Sequence, residues 1–194
     1  MTTNTCPPKA CSFWWLVSPL AKPNGRVPKT RKDDAMTNID TSDMFARRVP
    51  VDRNRTPQEV LDATDRMQYT DRKVVDGMPR GEGIEVEVIF FRPEPEERTR
   101  PGWISNDDLE KAFNRRGLKQ APPDDVSAVN ENDPAFADER PNRTNWKDAT
   151  GNWCSASFRY WYGVRVVVVD RRGDDGHHGI WWFAGVRLPA QTGR

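Results

Sequence analysis

Cysteine and histidine are scarce in this sequence. The three cysteines, Cys6, Cys11 and Cys154, are odd in number and show no C-x-x-C spacing, so neither a disulfide framework nor a zinc knuckle follows from them. A reducing, cytoplasmic compartment is the expectation. The two histidines, His177 and His178, are neighbours, which leaves no scattered imidazoles to serve a nucleophile. Long apolar runs are missing too. The best candidate, "CSFWWLVSPLA" at 11–21, is too short to span a bilayer. As a secretory signal it has a thin basic flank and a weak cleavage site. No membrane association is expected. Residues 1–35 read instead as an extension ahead of a second methionine, Met36, which offers an alternative start.

The phosphate loop G-x-x-x-x-G-K-[ST], the dinucleotide turn G-x-G-x-x-G, the nucleophile elbow G-x-S-x-G and the zincin H-E-x-x-H are all absent. None of the enzyme classes that those motifs mark is indicated, and no cofactor is expected. "VNENDPAFADERPN" (129–142) is acidic but lacks the spacing and the glycine of a calcium loop. Surplus positive charge is confined to one end. Six basic residues against Asp33 and Asp34 give residues 1–35 a net +4 in a chain of net +1, which leaves the remainder at −3. Phosphate neutralisation needs clustered Lys and Arg. Nucleic-acid contact is therefore expected only weakly, through the basic tail 1–35.

What the 194 residues do contain is 30% charge, 16 prolines, 8 tryptophans and 8 phenylalanines. Disordered chains are poor in aromatics, so a folded part with polar tails and loops is implied. "NRTPQEVLDATDRMQ" starts a helix: Thr56 caps it, Pro57 takes the first position and Glu59 closes a capping box. Val60, Leu61, Thr64 and Met67 give a stripe over 57–68. "IEVEVIFF" (84–91) alternates as a strand, with Ile84, Val86, Val88 and Phe90 on one face and Glu85 and Glu87 on the other. "WISNDDLEKAFNRRGL" encodes a helix over 105–116. Ser105 is its cap, Asp107 and Asp108 lie in its first turn, and Gly117 stops it. Residues 121–152 read as a long polar loop anchored by Phe136 and Trp146.

The C-terminal third holds two apolar strands, about 154–170 and 180–188, separated by a glycine-rich "RRGDDGHHG" of hairpin-loop composition. Matching Arg165 to Arg187 sets Val167, Val169, Trp181 and Phe183 on a common face. The expected fold is thus α+β. It has a mainly antiparallel sheet, made of this hairpin plus strand 84–91, packed against the helices 57–68 and 105–116. Residues 1–50 are expected to be a mostly unstructured extension and 51–190 a single domain. A further strand within 36–52 or within the long loop stays open.

The runs "RTPQEVLDATDRMQYTDRKVVDGMPRGEG", "DLEKAFNRRGL", "AVNENDPAFAD", "TNWKDATGNWC" and "WWFAGVR" resemble a set of uncharacterised bacterial proteins, over roughly residues 50–188. That group has no assigned activity. The resemblance implies a bacterial cytoplasmic origin and no catalytic residue, cofactor or substrate.

Two functions of different class follow from the residues. The first is a non-enzymatic protein-interaction module whose sheet face carries Trp161, Arg165, Trp181 and Arg187, because Trp and Arg dominate binding hot spots. The second is a small metal-dependent hydrolase using Asp174, Asp175, His177 and His178, with Glu85 and Glu87 as further carboxylates. Adjacent histidines in extended backbone point apart, so the expected state of that loop is a solvated turn at an exposed tip. The interaction module, with another protein as partner, is the favoured expectation.

Overall fold

The computed structural model describes residues 44–172 and 176–188. The tail 1–35, the 11–21 segment and Met36 lie outside them. The first described element, β1 (Met44–Pro50), falls inside the stretch read as an extension and pairs along its full length with β3 (Glu85–Phe91).

Local signals set the first helix but not its length. Thr56 accepts the Glu59 amide, and the Glu59 carboxylate accepts the Thr56 amide at 2.7 Å, which is the capping box. The helix α1 nevertheless ends at Asp62 instead of 68, and Asp65 turns the chain at φ 50°. Met67–Thr70 then form an edge strand, β2, with the Met67 side chain outside the helical stripe. Asp71 caps a short α2 (Arg72–Asp76). The helix expected at 105–116 is α3 (Asn106–Arg115), capped by Ser105 and stopped by Gly117 at φ 64°. It follows a single 3-10 turn at Pro95–Glu97 and a two-residue strand, β4 (Trp103–Ile104).

The sheet overturns the expected architecture. It is a mixed sheet of eight strands, not a C-terminal hairpin plus one strand packed on two helices, and five short helices accompany it among the described residues. The supposed single strand over 154–170 is two: β7 (Trp153–Trp161) and β8 (Val164–Arg171). A tight turn joins them, with Tyr162 at φ 46° and Gly163 at φ 85°. Positive φ at both central residues is what a two-residue hairpin needs. The last strand, β10 (Trp182–Arg187), does not touch β8. The order is β1-β3-β10-β6-β7-β8-β2, where β6 is Asn142–Lys147, and β10/β6 and β8/β2 are parallel.

The supposed loop 121–152 is mostly structured. It supplies α4 (Pro123–Asn132), α5 (Phe136–Glu139) and β6. Phe136 and Trp146 are buried in it, as anchors should be. Before it, β5 (Leu118–Gln120) pairs with Gly185–Arg187 of β10, past the two β10 residues, Trp182 and Phe183, that pair with the start of β6, so β5 and β6 divide one border of β10. The Gln120 Oε1 accepts the Asn145 amide at 2.9 Å across that junction, and Thr144 Oγ1 donates to the Ala121 carbonyl.

Both faces of the sheet carry apolar core. On the front, Leu61, Val74, Val75, Val126, Val129 and Phe136 of the helices meet Val88, Phe90, Phe158, Val167 and Val169. On the back, Leu109, Ala112 and Phe113 of α3 cover Ile89, Phe91, Trp181 and Phe183. Val167 and Val169 therefore lie on the opposite face from Trp181 and Phe183. The α3 contact is close at Gly185, where a Cβ would stand 2.9 Å from Phe113 Cε1 and 3.1 Å from the Lys119 carbonyl oxygen. Gly185→Ala is expected to lower stability by about 1–3 kcal/mol through overpacking, measured as a lower urea midpoint.

Candidate functional site

The four residues expected to form one aromatic and basic patch are dispersed over the fold. Trp161 stands 43% exposed at the β7–β8 turn, on the back face. Arg165, one residue past its partner Val164, points to the front and pairs with Asp138 of α5 at 2.8 Å. Trp181 is buried (6% exposed). Arg187 is exposed at the end of β10, three lanes from β8, where its Nε lies 3.6 Å from Glu87. Glu87 also faces Arg48 at 3.8 Å, while Glu85 is solvent-exposed.

The histidines are not at an exposed tip. His177–His178 form a two-residue strand, β9, paired with β4. Their side chains do point apart: His178 is exposed against Trp103, and His177 is 3% exposed beneath the chain. The His177 Nε2 lies 2.7 Å from Asn106 Oδ1, and its ring meets Phe183 edge-on. Burial, with the charges of Arg143 and Arg172 behind it, pushes this imidazole down to about 3. Asp174 and Asp175 lie outside the described residues. Among the described residues no three His, Cys, Asp or Glu side chains stand close enough to share a metal ion.

Sequence reasoning missed two charged clusters. The first lies at the start of α4. Asp124 accepts from Arg53 Nη1 at 2.6 Å, from Arg80 Nε at 3.1 Å and from the Gly81 amide at 3.1 Å. Arg53 Nη1 is also 2.7 Å from Asp125 Oδ1, but off the line of a well-formed hydrogen bond. Burial consequently pushes the Asp125 carboxyl up to about 6 against the pull of Arg53. Asp125 borders an open groove of about 440 Å³, with Arg80, Glu87, Lys119 and Arg187 along its walls. The signal was present in "APPDD", since proline followed by acidic residues marks a helix start.

The second cluster lies on the back face of β6 and β7. Arg143 is 2% exposed, and its guanidinium carbon sits 5.1 Å from the centre of the Trp181 ring. Asn145 and Ser155 share this face, and Ser155 donates to Asp170 at 3.0 Å. Arg172, at the end of β8, and His177 lie near this guanidinium, and Trp181 before β10 is packed with Leu109, Ala112 and Phe113 of α3. No local signal in "NRTNWK" marks a buried arginine, because the strand has no apolar alternation.

A third feature is an aromatic rim. Met67 and Tyr69 of β2 lie opposite Val166 and Val168 of β8, on the same face as Val164 and Trp161. All four of Met67, Tyr69, Trp161 and Val164 are exposed, and Tyr160 and Tyr162 extend the rim around the turn. Arg159 lies over Trp161, its guanidinium carbon 4.4 Å from the ring centre, and no carboxylate pairs with it among the described residues.

Among the described residues, no helix is long and apolar enough to cross a membrane. No protein-family model matches the chain, and no curated protein or solved structure compared with it does so, which leaves these geometries to speak for function.

Proposed function

We propose that the chain is a non-enzymatic protein-interaction module that binds an extended segment of another protein along the β2 edge and the β7–β8 turn. The observation that carries this reading is the rim itself: Met67, Tyr69, Trp161 and Val164 stand exposed together on adjoining strands. Exposed aromatic groups contiguous on one surface are typical of recognition sites. The outer backbone of β2 has no partner strand among the described residues, so an added strand would find donors and acceptors ready. Arg159, stacked on Trp161 without a carboxylate partner, favours an acidic side chain in the incoming segment. Of the residues named from sequence, Trp161 belongs to this surface. Trp181 lies beneath it as support for Arg159, 6.0 Å from its guanidinium carbon.

Selection of a random peptide library against the protein is expected to enrich extended sequences that combine large apolar with acidic residues. Their affinity should fall about 30-fold or more in a Tyr69→Ser, Trp161→Ser double variant, the size of a hot-spot loss. It should be unchanged in Ile84→Ser, whose exposed side chain is at the start of β3 near the opposite edge. Peptides that bind the double variant as well as the parent would defeat the reading. For a hydrolase at Asp174, Asp175, His177 and His178, His177 would first have to leave Asn106 and the core, and no observation among the described residues favours that.

A further inference from the structure

Arg143 is buried as a cation, and two of its donors have no acceptor. Its Nε and Nη2 are both inaccessible and without a hydrogen-bond partner among the described residues. These two donors are not an arbitrary pair. They form one edge of the guanidinium, the fork that grips two oxygens of a single carboxylate, phosphate or sulfate. Beside Arg143 on the same face, Asn145 presents a side-chain amide in which neither atom has a partner. A buried charge left in this condition is strongly unfavourable, and native structures rarely leave such groups unmatched.

The surrounding charge does not supply the missing anion. Burial weakens the hold of Arg143 on its proton, and the nearby charges of Arg172 and Arg159 weaken it further. Asp170 is the opposing carboxylate, and it is already engaged by Ser155 Oγ at 3.0 Å and Arg172 Nε at 3.2 Å. Among the described residues, the three guanidiniums of Arg143, Arg159 and Arg172 face one occupied carboxylate, which leaves positive charge in excess around Arg143. Trp181 closes one side of Arg143 with its ring, so an acceptor must come to the edge of the guanidinium.

We infer that the back face of β6 holds a small oxyanion, gripped side-on by Nε and Nη2 of Arg143 and hydrogen-bonded by the Asn145 amide, beside the Trp181 ring. The class is defined by the fork: a group with two oxygens on one centre and a negative charge, which covers phosphate, sulfate and small carboxylates. Arg159 and Trp181 border both this site and the aromatic rim, but the site does not depend on the protein-binding reading.

Thermal melting of the whole chain in phosphate, sulfate or acetate, each against chloride at equal ionic strength, tests this. At least one oxyanion should raise the melting temperature saturably, by roughly 5–10 °C at about hundredfold excess over its Kd. Which of the three acts separates a tetrahedral from a carboxylate ligand. Where the site is already filled on purification, native mass spectrometry should show the chain with one added anion. Arg143→Met, which removes the charge at similar length, should abolish the response and melt no lower than the wild type in chloride. If that variant does not fold, Arg143→Lys keeps a charge but not the fork and should need at least about tenfold more anion for half-saturation. A wild-type chain that neither responds nor carries an anion overturns the inference. So does a response that survives in Arg143→Met, or one that Arg143→Lys gives at the wild-type half-saturation, either of which would mean an adventitious ion only. A response that appears only in the Asp174→Asn, Asp175→Asn double variant also overturns it, because the chain's own carboxylates would then be filling the fork.

Discussion

Replacing Asp124 with alanine is expected to cost about 3–5 kcal/mol, the range for stripping one partner from a buried ion pair. The carboxylate is almost wholly inaccessible and serves four donors: Arg53, Arg80, the Gly81 amide and the Asp125 amide. Those donors join the segment after β1 and the segment after α2 to the first turn of α4, so one side chain ties three stretches distant in sequence. Removing it leaves the Arg53 guanidinium, itself mostly buried, with the Glu82 and Gly83 carbonyls and Asp125 as its one remaining carboxylate among the described residues. Asp124→Asn retains one acceptor and should lose less. Arg80→Ala should cost under about 1 kcal/mol, because that guanidinium is partly in water and its pairing is screened. Urea unfolding measures all three, as midpoint shifts at constant m value. A loss below about 1 kcal/mol for Asp124→Ala would mean that the arginines swing out to solvent and the tie is dispensable.

Acid should destabilise the fold well above the range where ordinary carboxylates titrate. His177 is held neutral in the folded chain, with its pKa pushed down to about 3, whereas the unfolded chain takes up the proton near 6.5. Between those two values the unfolded state binds more protons, so stability rises with pH across the window. It is fully present above 6.5 and is lost as pH falls. Each tenfold change in proton affinity is worth about 1.4 kcal/mol, so the full interval corresponds to roughly 5 kcal/mol. Asp125 works in the opposite direction. Its carboxyl, raised from 3.8 to about 6, makes the folded state bind more protons between those values, and that contribution is lost as pH rises through 6. The two slopes partly cancel between pH 4 and 6. Asp125→Asn should therefore make the wild-type loss from pH 7 to 4.5 steeper, and His177→Gln should flatten it. Glu97, Asp108 and Asp148, whose pKa values are lowered from 4.5, 3.8 and 3.8, contribute stability that is lost mainly as pH falls below those ordinary values, so they add little slope between pH 7 and 4.5. An unchanged slope in His177→Gln would show that the imidazole is not the group responsible.

Much of the local structure was legible, and little of the arrangement. Thr56, Pro57 and Glu59 announce α1, and Ser105 and Gly117 bracket α3, because capping is decided by neighbours within four residues. The end of α1 was not legible, since Met67–Thr70 gain more as an edge strand beside β8 than as two further helical turns, and β8 is about a hundred residues away. β6 was invisible for a related reason. Asn142 and Thr144 face the front core and find Asn130 and the Ala121 carbonyl, so a fully buried strand shows no apolar period. In α4 the buried positions include Asp124, Asp125, Ser127 and Asn130, which hides the helix from a reading based on a polar and an apolar side. The hairpin error came from "RRGDDGHHG", whose glycines suit a tight turn, while the real turn at Tyr162–Gly163 lay inside an apolar run.

The position of β10 has a consequence for how this sheet can be assembled as the chain leaves a ribosome. β1 and β3 can pair early, and β6, β7 and β8 can zip together with β2 once residue 171 has emerged. Among the described strands the two pieces are joined in the sheet through β10, which is made after both and slots between β3 and β6, with β5 completing its second border. Until then each piece keeps a raw margin of unpaired peptide groups. A nascent chain paused before residue 182 is therefore the species most open to clinging to a chaperone or to another copy of itself.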